Sequence, residues 1–116
     1  MTAARRTLPP RRPSATVGVV HRTEVSDRTF HVTVGYDHTT GDLLEVFYAD
    51  GMKSGTDLRA TAQDACILIS LLLQHGATLD VIGRSLCRAP VYGEDAPASI
   101  IGAIVDTLGG MGLDHG

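Results

Sequence analysis

The chain has 116 residues, 43% of them apolar, with a formal net charge of −3 and no tryptophan. That length supports one core and not two. The most apolar stretch, residues 65–73, is nine long even counting Ser70 within it, far short of the ~20 needed to span a bilayer, which excludes a membrane helix. The charge is unevenly spread: residues 1–22 hold Arg5, Arg6, Arg11, Arg12 and Arg22 and no acid, while residues 23–116 hold five basic and thirteen acidic side chains, 5 − 13 = −8. A basic arm on an acidic body results.

Residues 1–15 read as a disordered or extended arm. Pro9, Pro10 and Pro13 remove donors and hold their predecessors extended, which also argues against an amphipathic transit helix. No apolar stretch of a secretory signal is present at the start, and the two cysteines, Cys66 and Cys87, fall in apolar contexts. Packed thiols in a reducing cytoplasm are the expectation.

Residues 16–22 are rich in β-branched side chains and predict a first strand. Residues 29–36 alternate, with Phe30, Val32, Val34 and Tyr36 on one face and His31, Thr33 and Gly35 on the other, which predicts a second. Turn residues at 37–42 lead to a third at 43–49, where Leu44, Val46 and Tyr48 oppose Leu43, Glu45 and Phe47. Short connections make the three an antiparallel meander.

A long helix is predicted over 58–75, with Ser54 or Thr56 as N-cap, Asp57 in the first turn and Gly76 as its C-terminal stop. Leu58, Ala62, Ala65, Ile69, Leu72 and Leu73 fall at spacings of three or four and are expected to face inward. Ile67, Leu68 and Leu71 lie on the remaining side, which one sheet cannot bury. Three large aliphatics at ~1.5–3 kcal/mol each require a cover, from later helices or from a second copy of the chain. Thr78 caps a second helix over 79–86, residues 89–96 read as a loop, and Asp95 and Pro97 open a third helix running to Leu108, stopped by Gly109-Gly110. The expected fold is α+β: a three-stranded antiparallel meander packed on a long central helix followed by two shorter helices, with the single domain over 16–110 and a flexible tail over 111–116.

Lys53, Ser54, Gly55 and Thr56 put a cation, two hydroxyls and backbone N–H groups where the long helix begins, a geometry suited to a phosphate or carboxylate. The run lacks the spacing of a Walker A loop. Its plainer role is a glycine-assisted turn whose Ser and Thr cap the helix. Arg5, Arg6, Arg11 and Arg12 could grip nucleic acid; four phosphate contacts predict a salt slope of about −0.9 × 4. No aromatics are interleaved with them, so base stacking is not implied. The five histidines and two cysteines have no metal-ligand spacing, so neither a metal nor another cofactor is expected. Glu45, Asp57, Asp64, Asp80, Glu94 and Asp95 form no spaced acid–base pair, and Ser70 is expected to bond back within its own helix.

The pair of motifs Gly51-Met52-Lys53-Ser54-Gly55-Thr56-Asp57 and Ile69-Ser70-Leu71-Leu72-Leu73-Gln74-His75-Gly76, preceded by Glu45-Val46-Phe47, resembles the TSCPD domain, found near the C-terminus of ribonucleotide reductases, especially the cobalamin-dependent class. The likeness covers about residues 29–108. The Thr-Ser-Cys-Pro-Asp run that names the family is absent; Ala96-Pro97-Ala98-Ser99-Ile100 stands where that helix start would be. The reductase barrel is absent too, so no catalysis by the chain alone is implied. The resemblance implies a stand-alone accessory domain tied to deoxyribonucleotide synthesis, with a nucleotide or a reductase subunit as partner. The alternative is a nucleic-acid-binding or regulatory homo-oligomer assembled through Ile67, Leu68 and Leu71.

Overall fold

A computed structural model describes residues 4–49 and 57–112. The chain is α+β. Strands β1 (Ser14–Arg22), β2 (Asp27–Tyr36) and β3 (Leu43–Tyr48) form one antiparallel sheet in the order β1-β2-β3. Helix α1 (Asp57–Gln74), helix α2 (Leu79–Ser85), strands β4 (Arg88–Val91) and β5 (Glu94–Pro97), and helix α3 (Ile100–Gly110) follow.

The alternation in β1 and β2 sends Val17, Val19, Phe30, Val32 and Val34 to one face, all buried. β1 pairs with β2 without interruption from Ser14↔Gly35 to Arg22↔Asp27. Between β2 and β3 the register slips at Gly35/Tyr36. This irregularity breaks the expected alternation, and Leu43 and Leu44, predicted to point opposite ways, are both buried.

Two helices share the covered face: α1 lies against β3 and α3 against β1. The long helix is therefore not the sole centre. The most enclosed element is α3, with Ile104 and Leu108 fully buried beside Ile100, Ala103 and Val105. The stripe that α1 turns inward is Ala62, Cys66, Ile69 and Leu73. Leu58 and Leu72, expected inside, are 39% and 47% exposed. A helix flanked on one side by α3 and on the other by the end of the sheet has a single face to bury. The later helices do not cover Ile67 and Leu68, which are 43% and 61% exposed.

Local chemistry explains the ends. Gly76 takes φ +98, and the Gly76 and Ala77 N–H groups donate to Leu73 and Leu72 carbonyls at 3.1 and 2.9 Å, a Schellman close. The Thr78 hydroxyl caps α2 by accepting from Val81 N–H at 3.2 Å. The expected loop at 89–96 is instead a two-residue hairpin. Tyr92 (φ 50) and Gly93 (φ 82) both take positive φ, and Val91 pairs with Glu94, the twist that joins two strands tightly. Asp95 and Pro97, expected to open the third helix, lie in β5. Ser99 caps α3 by accepting from Gly102 N–H at 3.0 Å, and Gly109 and Gly110 fall inside the helix.

Candidate functional site

β3 is an edge strand, and its free edge carries backbone groups that no strand among the described residues takes. α1 closes that edge with two polar side chains. The Ser70 hydroxyl accepts from Val46 N–H at 2.8 Å and lies 3.0 Å from the Val46 carbonyl and 2.9 Å from Cys66 O. The expected bond back within the helix is one part of this contact. Gln74 donates through Nε2 to the Leu44 carbonyl at 3.1 Å. Ser70 and Gln74 are the two buried polar side chains among the described residues. Each is satisfied by a partner that only the fold could supply.

The clasp continues into the arm. Arg5 Nε donates to Gln74 Oε1, and Arg6 N–H donates to Gln74 O at 2.9 Å. The Arg6 guanidinium then bridges Asp42 at 2.8 Å and Asp37 at 2.9 Å in the β2–β3 turn. Hydrogen bonds from Thr39 N–H and then from Arg6 hold the Asp37 carboxyl below its ordinary value, while Asp42 and Asp37 push Arg6 further up. Arg12 pairs with Glu45 and also donates to the Pro9 and Pro10 carbonyls at 3.1 and 3.3 Å. Tyr36 N–H donates to Pro13 O at 3.0 Å, and β1 begins one residue later.

The arm thus straps the β2–β3 end of the sheet. At Gly35 a Cβ would lie 2.6 Å from Glu45 Oε1 and 3.3 Å from Glu45 Cβ, so a side chain there would displace the carboxylate that Arg12 holds, while its 3.4 Å approach to Leu8 of the strap would be an ordinary contact. A cavity of about 240 Å³ remains under it, lined by Pro10, Arg12, Thr33, Glu45 and Phe47. Of the four arm arginines considered for nucleic acid, Arg5, Arg6 and Arg12 are committed to the body. Arg11 is exposed.

An open cleft of about 380 Å³ lies between α2, α3 and the hairpin. Arg88 lines it, bonded to Asp106 at 2.7 Å and to Asp95 at 2.9 Å, and both acids raise its pKa. Arg84 pairs with Asp80 at 3.2 Å. Of these pairs only Arg88–Asp106 ties the hairpin to a helix; Arg88–Asp95 lies within the hairpin and Arg84–Asp80 within α2, so both arginines of the cleft are paired. The hairpin tip is anchored from the other side, where Tyr92 OH donates to the Glu24 carbonyl at 2.9 Å.

The thiols differ. Burial pushes Cys66 up to about 11, whereas Cys87 is exposed. Among the described residues no cluster of three His, Cys, Asp or Glu could hold a metal ion. Lys53, Ser54, Gly55 and Thr56 lie outside the described residues. Their flanks are defined: β3 ends at Tyr48 with Ala49 N–H donating to His31 O at 2.9 Å, and α1 begins at Asp57.

Sequence reasoning missed the Ser70–Gln74 clasp, the anchored arm and the hairpin. The clasp had a signal, since a serine and a glutamine four apart interrupt an otherwise apolar run. The hairpin had one as well, two short segments separated by two residues ending in glycine.

The architecture is that of a small α+β module whose edge strand is closed by a helix and a strap. The chain matches the family model of the TSCPD domain over residues 3–110 and belongs to that family. The TSCPD domain is associated with ribonucleotide reductases. Comparison with curated proteins and with solved structures gave no match.

Proposed function

We propose that the chain is an accessory domain serving deoxyribonucleotide synthesis, which binds a phosphate-bearing ligand through Lys53, Ser54, Gly55 and Thr56 and acts alongside a reductase. The family match over residues 3–110 carries the link to reductases. The ligand class follows from the motif itself. The seven residues between Ala49 and Asp57 lead into the N-terminus of an 18-residue helix, where N–H groups and the helix dipole favour an anion. Lys53 adds a full positive charge on an otherwise acidic body.

Thermal unfolding with nucleoside di- and triphosphates tests this reading. A ligand at about 100 times its Kd stabilises a domain by about 2.7 kcal/mol, which for roughly 100 residues raises Tm by about 10 °C or more. Lys53→Ala removes that rise while leaving the unliganded Tm near wild type. Equal shifts in wild type and Lys53→Ala, or none with any nucleotide, end the reading.

A further inference from the structure

The two edges of the main sheet differ in kind. Antiparallel strands exchange hydrogen bonds at alternate residue pairs, and Tyr36 N–H donating to Pro13 O fixes which pairs these are. The unbroken register of β1 on β2 therefore turns the backbone groups of Ala15, Val17, Val19 and His21 toward β2. Those of Ser14, Thr16, Gly18, Val20 and Arg22 turn to the open edge, where nothing among the described residues takes them. The same alternation puts Val46 and Leu44 at the β3 edge, and there Ser70 and Gln74 meet them. The strap runs from Pro13 over β2 and β3 to Gln74 and leaves the β1 edge clear.

Open edges are ordinarily blunted by charge, proline, a bulge or shortness. The small hairpin follows that rule: its strands are 4 residues each and carry Arg88, Pro90, Glu94, Asp95 and Pro97. β1 does not. It has 9 residues, pairs without a bulge, and holds no proline and no Lys, Arg, Asp or Glu before Arg22. At its middle stands Gly18, exposed and without a positive φ, and a Cβ there would come no nearer than 3.8 Å to His31. Neither strain nor crowding within the chain calls for glycine at that place. With no bulge present, a glycine inside a strand marks the close approach of another backbone.

We propose that β1 pairs antiparallel with β1 of a second copy, about a two-fold axis at Gly18, giving one continuous sheet with three strands from each chain. An edge of bare N–H and C=O groups takes an extended strand. Because α1 closes β3, copies cannot add β1 to β3 in an open chain; β1 on β1 is self-complementary and stops at two. Centring on Gly18 uses the whole strand: Gly18 faces the partner's Gly18, Thr16 the partner's Val20, and Ser14 the partner's Arg22. Each such pair exchanges two bonds, about ten in all, the usual number for a standard interface. On the covered face Val17 meets the partner's Val19, so the apolar layer continues between copies. The strip is about 30 Å long and, with α3 beneath β1, about 20 Å deep. Each copy then contributes roughly 600 Å², and the total of roughly 1,200 Å² reaches the standard class. Neither residues 53–56 nor the α1 face of Ile67 and Leu68 takes part, so this pairing is independent of the ligand reading.

Sedimentation equilibrium of the full chain at roughly 100 µM gives twice 12.3 kDa. Thr16→Lys combined with Val20→Lys sets like charges opposite one another across the axis and gives monomers. Both side chains are exposed within one chain, so circular dichroism is unchanged. Thr16→Glu combined with Val20→Glu is also monomeric alone, and mixing the two variants restores the doubled mass. Amide exchange on the unaltered chain supplies the second reading. In the dimer the amides of Thr16, Gly18 and Val20 are protected like those of Val17 and Val19; on dilution to monomer the first three exchange about tenfold faster or more and the other two do not. A single-chain mass at about 300 µM, a doubled mass with Thr16, Gly18 and Val20 still exchanging freely, or mixed variants that stay monomeric each overturns the proposal.

Discussion

Ser70→Ala isolates the clasp between α1 and the sheet. The hydroxyl is the acceptor for Val46 N–H at 2.8 Å and lies within bonding distance of Val46 O and Cys66 O. The Cys66 carbonyl keeps its place in the helix ladder after the change, whereas the Val46 N–H and C=O both lose the hydroxyl they face, an under-satisfied carbonyl being the better tolerated of the two. The N–H is the vulnerable group, because Val46 is 0% exposed and Ser70 5%. A buried donor stripped of its acceptor costs about 1–3 kcal/mol, and the atom removed is too small to open a cavity that adds much to this. An expected loss of about 2 kcal/mol corresponds, in a domain of roughly 100 residues, to a Tm drop of about 10 °C. Urea unfolding at 25 °C gives the free energy directly, with Gln63→Ala on the exposed face of the same helix as a control expected within about 0.5 kcal/mol of wild type. If Ser70→Ala also falls within that margin, α1 does not close the β3 edge in the manner described.

Two further outcomes follow from the thiols and from the strap. Cys87 reacts promptly with a thiol reagent in the folded protein while Cys66 is labelled only on unfolding, and a second prompt thiol at neutral pH would contradict the burial that raises Cys66 to about 11. Because the folded pKa is the higher one, this group's contribution is intact below the ordinary value of 9.0 and is lost as pH climbs through about 11. Arg6→Ala unties the arm from Asp37 and Asp42, so trypsin cleaves after Arg11 faster than in wild type while the body stays resistant. The Asp37 carboxyl is held below its ordinary value of 3.8, so its contribution is present above that pH and is lost as pH falls through the lower folded value. Cleavage measured with an acid-tolerant protease should quicken only in that acidic range, and an unchanged rate on both counts would mean that the ion pairs do not hold the strap.

The meander was legible because residues 29–34 alternate and residues 16–22 are rich in β-branched side chains, and the chain stops were legible where a single residue type decides them, as at Gly76 and Thr78. The third helix was placed early because Asp95 and Pro97 satisfy the rules for a helix start, yet two-residue pairing of Ala89 with Ala96 and Arg88 with Pro97 draws that segment into a hairpin first. Local rules carry no information about which of two local solutions finds a partner. The arm shows the same limit on electrostatics. Four arginines and three prolines describe a solvated tail as well as a strap, and only the turn that brings Asp37 and Asp42 together distinguishes them.

α1 shows why its inward face could not be read from periodicity. Ala62, Cys66, Ile69 and Leu73 are spaced 4, 3 and 4, and Leu58, Thr61, Ala65, Leu68, Leu72 and His75 are spaced 3, 4, 3, 4 and 3. Both rows have the spacing of any helix face, and the stretch 65–73 mixes them with Ile67, Ser70 and Leu71, which belong to neither. What separates them is polar: Ser70 and Gln74 adjoin the first row, on the side where a strand edge leaves an N–H and two carbonyls to be met. A serine and a glutamine cost free energy in a buried place unless such groups await them. Their position therefore marks the sheet-facing side of α1.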